Sequence, residues 1–259
     1  MTFNVTSRVR AAALAVAVLA IGPLGARAAD VSARDLVKKM RESAPKVAFV
    51  AQAKLISDRG WTRELEMSYK HLQNDVDAGY MEVTAPMDLK DTRFLVLDRA
   101  NGRDEQWIYV PAAKRAIRVG DQTRKQDFLG SEFSVGDLVH PDLDAFTYSY
   151  VGEEDVAGRH CKLVEAVPKT PADEPYSKSV FAIDPTDLLA VKAQFFDAHG
   201  QPYKVLTIER LEKIDGIWTP LEQLMTNLQE NHWSRFELHE VKYNAKIDDE
   251  TFNKSHLTR

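Results

Sequence analysis

The feature that most constrains this fold is a succession of short strand-like segments joined by turns of a few residues. The segment WTRELEMSYK, residues 61–70, alternates apolar and polar side chains, which is typical of a half-buried β-strand. Turns such as DRG, DPTD and DGI separate segments of this kind, and loops this short usually join antiparallel neighbours. The sequence therefore predicts a largely antiparallel sheet, and a sheet with many strands must curl or close.

Strand-like segments lie on both sides of one interruption in the pattern. The segments before it are 47–56, 61–70, GYMEV, TRFLVLD, EQWIYV and KRAIRV, and those after it are FTYSYVGEEDV, HCKLVEAV, SVFAID, LAVKAQFFD, YKVLTIERLEKI, WTPLEQLMTNLQ and WSRFELHEVKY. A short helix with Ser32 as its N-cap is predicted before the first strand, and IDDETF predicts a helical turn near the end. No linker or periodic repeat interrupts the series, so we expect residues 29–259 to form a single domain.

The first 28 residues have the pattern of a secretory signal peptide. Arg8 and Arg10 precede the apolar run AAALAVAVLAIGPLGA, and residues 26–28 form a small-x-small site that predicts cleavage before Ala29. The alternative is an uncleaved membrane anchor, which the short and alanine-rich run disfavours. We therefore expect an exported, soluble protein in the periplasm of a Gram-negative-type envelope.

The net charge indicates which partners the chain can bind, and the cysteine count indicates whether disulfides can stabilise the fold. The full chain of 259 residues has a net charge of −5, and removal of the signal peptide would make it more negative. A chain of this charge is not expected to bind nucleic acid. The single Cys161 cannot form an internal disulfide, so the fold must depend on packing.

One strand carries an unusual residue on its apolar face. In residues 61–70, Arg63 shares a face with Trp61, Leu65, Met67 and Tyr69. One interpretation is that Arg63 lies near the strand end and extends its charged group to water. The other is a lone cation inside an apolar concavity, held by backbone carbonyls or a carboxylate and able to meet a polar head group.

Other strands are apolar on both faces. In TRFLVLD, Phe94 and Val96 oppose Leu95 and Leu97, and EQWIYV shows the same pattern. A strand that is apolar on both faces is covered on both, so a helix or a bound cargo should fill the concave side of the sheet. The predicted lining of this cavity consists of Trp61, Arg63, Leu65, Met67, Phe94, Trp107 and Tyr109.

The interruption itself is the segment DFLGSEFSVGDL, residues 127–138, which we call the lid segment. Its apolar residues have irregular spacing and are separated by Gly130 and Gly136. The segment is therefore apolar enough to be buried, and the two glycines give its backbone the flexibility to move. The residues predicted to form this lid or plug are Phe128, Leu129, Gly130, Phe133, Gly136 and Leu138. We expect Phe133 to approach the same apolar volume as Trp107, and Arg63 to hydrogen-bond lid carbonyls near Gly130 or Gly136.

The stretch WIYVPAAKRAIRV followed by DFLGSEFSVGDL resembles the signature of the outer membrane lipoprotein-sorting protein family. The matching residues are Trp107, Tyr109, Pro111, Arg115, Arg118, Phe128, Gly130, Ser131, Glu132, Phe133, Ser134, Asp137 and Leu138. The chain departs from the signature at 135–136, where Val and Gly replace an expected aromatic and acidic residue. The resemblance implies a LolA-like half-barrel, mainly antiparallel β, in which roughly ten or eleven strands curve around an apolar cavity beneath a short helical lid.

The same resemblance implies a monomeric carrier for a lipid or for the acyl chains of a lipoprotein. Such a carrier would move its cargo toward the outer membrane, or to or from a membrane transporter, with an inner-membrane transporter and an outer-membrane acceptor as partners. The alternative is a sensor or adaptor that binds lipid or lipoprotein and docks on a membrane regulator or exporter.

No enzymatic constellation is present in the sequence. There is no G-x-S-x-G motif, and Ser131 has no histidine near it in the chain. His232 and His239 are seven residues apart in one strand-like run, which places them on opposite faces and argues against a shared metal. We expect no catalytic residue, metal or cofactor.

Overall fold

The computed structural model describes residues 31–99, 104–138, 142–171 and 174–259. The proposed signal peptide, residues 1–28, lies outside these described residues. Within the described ranges, none of the helices has the length and apolarity needed to cross a bilayer.

The chain folds into one sheet of thirteen strands, preceded by a helix. The helices are α1 (Ala33–Glu42) and the single turn α2 (Asp121–Arg124). The strands are β1 (Phe49–Ser57), β2 (Thr62–Leu72), β3 (Val76–Ala85), β4 (Arg93–Arg99), β5 (Glu105–Val110), β6 (Arg115–Arg118), β7 (Phe146–Val156), β8 (Arg159–Pro168), β9 (Lys178–Asp184), β10 (Leu189–Phe196), β11 (Pro202–Ile214), β12 (Ile217–Asn227) and β13 (His232–Tyr243).

Neighbouring strands are antiparallel throughout, and the sheet order is β6-β5-β4-β3-β2-β1-β13-β12-β11-β10-β9-β8-β7. The predicted antiparallel, curved and open sheet is confirmed, and every strand-like segment of the sequence forms a strand. The count of thirteen exceeds the ten or eleven that the family resemblance implied. The two edges of the sheet are β6 and β7, which are consecutive in the chain, so the segment joining them must run from one edge to the other.

Helix α1 begins as predicted. The side chain of Ser32 accepts a hydrogen bond from the amide of Asp35 at 3.1 Å, which satisfies one of the free amides of the first turn. Leu36 and Val37 are buried against β8 and β9. The predicted helical turn near the C-terminus is also present, as a 3₁₀ turn over Asp249–Phe252.

The two faces of the sheet are covered by different parts of the chain. The inner face carries the largest apolar cluster, which includes Leu65, Phe94 and Leu238 and packs against the lid segment. The outer face of β3–β6 is covered by Phe252 and Leu257 from the C-terminal turns. Strands that are apolar on both faces are therefore covered on both, as the sequence pattern indicated.

Trp107 and Tyr109 lie on the outer face, and our prediction that they line the inner cavity was wrong. Leu95 pairs with Trp107 across β4 and β5, whereas Phe94 pairs with Ile108. Residues paired across antiparallel strands share a face, so Trp107 lies with outward-facing Leu95. The ammonium of Lys254 covers the Trp107 ring at 3.7 Å and completes this outer contact.

Candidate functional site

The lid segment crosses the inner face of the sheet and contributes its apolar side chains to the main core. It contains two 3₁₀ turns, Phe128–Gly130 and Val135–Leu138. Phe128 is 1% exposed, and its ring packs edge-on against Phe94 with centroids 4.8 Å apart. Phe133 is also buried and contacts Phe236 of β13. The lid segment is therefore an internal plug of the concave face, held by apolar packing.

The first part of the lid segment is a tight reversal of the chain. The amide of Phe128 donates to the carbonyl of Phe133 at 2.7 Å, and the Ser131 hydroxyl donates to the carbonyl of Phe128. Leu129 and Gly130 both have positive φ, at 54° and 72°, to turn the chain. Glycine accepts this conformation without steric cost, whereas leucine does so only where its surroundings impose it.

Glu132 anchors the lid to three strands and one turn, and the sequence analysis missed its role. Its carboxylate accepts hydrogen bonds from Arg59 at 3.1 Å and Asn227 at 3.0 Å. Its backbone amide donates to the Ser234 hydroxyl, and its carbonyl accepts from the ammonium of Lys204 at 2.6 Å. Glu132 and Lys204 are only 5% and 2% exposed. Their charged groups are therefore shielded from water, and each depends on hydrogen bonds formed between the lid and the sheet.

One sequence signal could have revealed this anchor. Glu132 is the only acidic residue between the two phenylalanines of a segment predicted to be buried, and a buried carboxylate requires partners. Strand alternation places Lys204 on the same face as Leu206 and Ile208 of β11, but nothing in that pattern identifies its acceptor. Its partner is 72 residues away in the chain.

The second part of the lid segment is held through Asp137. Its carboxylate accepts from the amide of Ser134 at 2.7 Å and from the hydroxyl of Tyr176 at 2.9 Å. Burial raises the pKa of Asp137 above its usual value, and these hydrogen bonds oppose that rise. Gly136 is closely packed beside it: a Cβ at this position would lie 3.2 Å from the carbonyl oxygen of Arg124 and 3.3 Å from Pro175.

Two apolar cavities flank the lid segment on the inner face. Cavity 1, of about 350 Å³, lies toward α1 and strands β7–β12, and cavity 2, of about 260 Å³, lies toward β1–β4 and β13. Phe133, Asp137, Leu138 and Gln223 contribute to both cavities and separate them. Cavity 1 falls within the usual size range of small-molecule sites, about 300–1,000 Å³, and cavity 2 lies just below it.

The inward-facing residues predicted for the cavity have two different positions. Met67 lines cavity 2. Trp61, Leu65 and Phe94 belong to the inner apolar cluster, where Leu65 and Phe94 are buried beneath the lid. Of the predicted lid residues, Phe128 lines cavity 2, Gly136 lines cavity 1, Phe133 and Leu138 line both, Leu129 packs on the core and Gly130 is exposed.

Arg63 contacts the lid segment, but not through the hydrogen bonds that we expected. Its guanidinium stacks on Trp61, with Cζ 3.8 Å from the ring centroid, and both terminal nitrogens lie 3.6 Å from the Cβ position of Gly130. Nη1 is buried and has no hydrogen-bond partner among the described residues. Burial lowers the pKa of Arg63, and the negative charge of Asp88 opposes that change. The prediction of ties to lid carbonyls was therefore wrong.

The polar residues considered for catalysis are engaged in structural contacts. Ser131 donates to the Phe128 carbonyl and accepts from the amide of Phe133. His232 and His239 are paired separately, with Asp58 and Glu237. Across the described ranges, no group of three or more His, Cys, Asp or Glu side chains is arranged to hold a metal ion.

Comparisons with known proteins identify the fold. A family model described only as "Uncharacterized protein" matches residues 75–259. An outer membrane lipoprotein-sorting protein domain from Vibrio parahaemolyticus is similar in structure, with a TM-score of 0.80 and 24% identity over 88% of this chain and 98% of that one. A DUF1329 family protein from Desulfovibrio piger has a TM-score of 0.78 and 25% identity, with 87% and 97% covered.

A third similar structure is a LolA superfamily protein from Nitrosomonas europaea, with a TM-score of 0.67 and 18% identity over 87% of this chain and 99% of that one. No curated protein matches the sequence. These likenesses extend over nearly the whole described chain, and they establish its architecture as LolA-like.

Proposed function

The chain belongs to a family described only as uncharacterized proteins and has a LolA-like fold, and on that basis we propose that it binds lipid or lipoprotein acyl chains as an exported carrier. We further propose that residues 1–28 are a cleaved signal peptide and that residues 29–259 act in the periplasm as a monomer. Its partners would be a membrane transporter and an outer-membrane acceptor.

The observation that carries this proposal is the pair of apolar cavities beneath and beside the lid segment. Their walls are largely aliphatic and aromatic side chains, such as Met67, Phe181 and Phe236. Each methylene that moves from water into such a cavity contributes about 0.8 kcal/mol, so an acyl chain is held without specific polar contacts. A sugar or nucleotide would leave unsatisfied those of its hydrogen-bonding groups that meet these apolar walls.

The lid segment would keep the cargo from water during transport. It is held by apolar packing at Phe128 and Phe133 and by the hydrogen bonds of Glu132 and Asp137. A carrier needs closed and open states that differ by only a few kcal/mol, because a much larger difference would prevent loading or release. The lid is fastened by only a few hydrogen bonds to charged groups, at Glu132 and Asp137, which is compatible with a small free-energy difference between the two states.

Mass spectrometry of organic extracts from protein purified from its native periplasm tests the proposal. We expect a lipid or an acylated peptide in amounts close to equimolar with the protein. We also expect that lipid to displace a fluorescent fatty-acid probe from the delipidated protein. An extract without lipid, together with no binding of the probe, would contradict the proposed function.

Transfer between vesicles tests whether cargo is handed on. Donor vesicles with a labelled lipid are mixed with acceptor vesicles, and the rate of transfer is measured with and without the protein. A carrier accelerates transfer in proportion to its concentration. A protein that removes labelled lipid from donors but never delivers it to acceptors would instead be a sensor or adaptor.

A further inference from the structure

The lid segment divides the concave side of the sheet into two compartments of unequal size. Cavity 1 is about 350 Å³ and cavity 2 about 260 Å³, and the residues common to both are Phe133, Asp137, Leu138 and Gln223. These four residues form what we call the partition. A ligand with a single acyl chain can occupy one compartment and leave the other empty.

The partition is a fixed part of the closed structure. Asp137 is tied to Ser134 and to Tyr176, and Tyr176 is itself buried in the apolar core. Phe133 is buried, with its ring 6.2 Å from that of Phe236 on β13. The two compartments are therefore separated by contacts that reach both the sheet and the loop before β9.

The partition also carries the polar groups at the junction of the two compartments. Gln223 lies on the inner face of β12 between Leu221 and Met225, both of which are buried apolar residues. Its side chain makes no hydrogen bond to any described residue, although it faces the junction from within an apolar row. A polar side chain at such a position is available to a ligand that has its own polar atoms there.

Building on the proposed function, we infer that the cargo is a lipid with at least two acyl chains, one in each cavity. The polar linkage that joins the chains lies at the partition, where the side-chain amide of Gln223 can donate a hydrogen bond to an ester carbonyl. Linking two chains makes the second insertion intramolecular, which strengthens binding well beyond that of either chain alone. Each additional buried methylene strengthens binding about fourfold, so the second chain has a large effect.

Stoichiometry distinguishes this arrangement from a single acyl site. Native mass spectrometry with a lysophospholipid and with the diacyl phospholipid of the same head group gives the number of molecules bound per protein. We expect two lysophospholipids or one diacyl phospholipid per chain. We also expect the diacyl lipid to bind at least tenfold more tightly than the first lysophospholipid.

Variants that fill one cavity at a time test the assignment of the chains. Ala193→Phe places a larger side chain in cavity 1, and Gly79→Leu places one in cavity 2. A Cβ atom at Gly79 would lie 3.9 Å from the Cβ of Val96, a normal van der Waals distance, so the backbone accepts the substitution. Each variant should bind one lysophospholipid instead of two and lose at least tenfold in affinity for the diacyl lipid. Ala190→Trp, at a more exposed position in cavity 1, replaces Ala193→Phe if that variant does not fold.

Gln223→Leu tests the partition itself. It should weaken the diacyl lipid severalfold while leaving the stoichiometry of lysophospholipid at two. If the unmodified protein binds a single lysophospholipid and filling either cavity leaves diacyl affinity unchanged, the two-chain inference is wrong although lipid binding stands. If neither lipid binds, the proposed function fails and the inference fails with it.

Discussion

The ammonium group of Lys204 lies 2.6 Å from the main-chain carbonyl oxygen of Glu132, and both residues are buried. Lys204 belongs to β11, whereas Glu132 lies at the centre of the lid segment. A buried ammonium must find acceptors inside the protein, because the transfer of an unpartnered charge from water is costly. The lid carbonyl supplies one of them, so opening the lid exposes a charge that the closed structure satisfies.

The Glu132 carboxylate provides the first prediction. Glu132→Gln keeps the shape of the side chain but removes the charge that accepts from Arg59 and Asn227. Hydrogen bonds to charged groups contribute about 1.5–3 kcal/mol, and we expect a loss of that order in the free energy of unfolding. Glu230→Gln is the control, because Glu230 also pairs with Arg59 but is exposed and should matter by less than about 1 kcal/mol. Urea denaturation of the two variants measures both values, and equal losses would contradict the anchor.

Close packing at Gly136 provides the second prediction. In Gly136→Ala the new methyl group would lie 3.2 Å from the Arg124 carbonyl oxygen, which displaces the second half of the lid. We expect faster hydrogen exchange at the amides of Ser134 and Asp137 and a loss of about 1–3 kcal/mol in stability. Gly120→Ala is the control: it should cost less than about 1 kcal/mol, for the loss of glycine at the N-cap of α2, because nothing lies within 4 Å of its Cβ position and its φ of −99° suits alanine. Unchanged exchange in Gly136→Ala would show that the lid absorbs the methyl group without moving.

The third prediction concerns pH. Burial raises the pKa of Asp137 in the folded state, so its protonated form is favoured by folding. The stability linked to this group is therefore fully present below the unfolded-state pKa of 3.8 and falls as pH rises through the higher folded-state pKa. Asp137→Asn cannot ionise and still offers an acceptor to Ser134 and Tyr176. The stability of the unmodified protein relative to this variant should decrease over that window, and a difference independent of pH would contradict the prediction.

Arg63 provides the fourth prediction. Arg63→Leu removes a buried donor that has no partner, which should stabilise the fold by about 1–3 kcal/mol. It also removes the stacking contact with Trp61, which should destabilise the fold by about 0.5–2 kcal/mol. The net change in stability should lie within about 1 kcal/mol of zero, with lipid transfer at the unmodified rate. Arg63→Lys keeps the burial penalty and loses the planar stack, so it should be the less stable of the two. A large loss of stability in Arg63→Leu would reveal a polar partner for the guanidinium.

The fifth prediction separates the two faces of the sheet. Trp107→Ala removes an aromatic side chain from the outer cluster beneath the C-terminal turns and should destabilise the fold by about 2 kcal/mol or more. Because no inner cavity is changed, the affinity for a fluorescent fatty-acid probe should stay within about twofold of the unmodified value. Phe133→Ala, which joins the two cavities, should change probe binding by a larger factor. Equal effects of the two variants on the probe would contradict the separation of the faces.

The sequence predicted the sheet because alternation and short turns are local properties. Each strand-like segment carries its own period, and each turn carries its own breaker residues, so neither depends on distant partners. The lid segment was recognised for the same reason, as a local break in that period. The family resemblance was less accurate on the number of strands than the direct pattern of residues.

The site was less predictable because it depends on register and on distant contacts. EQWIYV is apolar on both faces, and only its pairing with β4 decides that Ile108 faces inward while Trp107 faces outward. The partners of Glu132 come from the turn before β2 and from β11, β12 and β13, and nothing in the lid sequence specifies them. Arg63 lies beside Gly130 of the lid, and whether its guanidinium finds an acceptor there depends on the exact path of the lid backbone.

The order of strands has a mechanical consequence. The sheet is an arc whose two ends, β6 and β7, are joined by the chain that contains the lid segment, so this segment is a chord across the arc. Because both of its ends are continuous with edge strands, the segment cannot move away from the sheet by rotating about one end. The lid segment can separate from the inner face only if its own 3₁₀ turns extend, or if the curvature of the sheet decreases and β6 and β7 change their separation. In the proposed carrier, loading would therefore couple the curvature of the whole sheet to the path of one short segment, and a change in the distance between β6 and β7 would accompany opening.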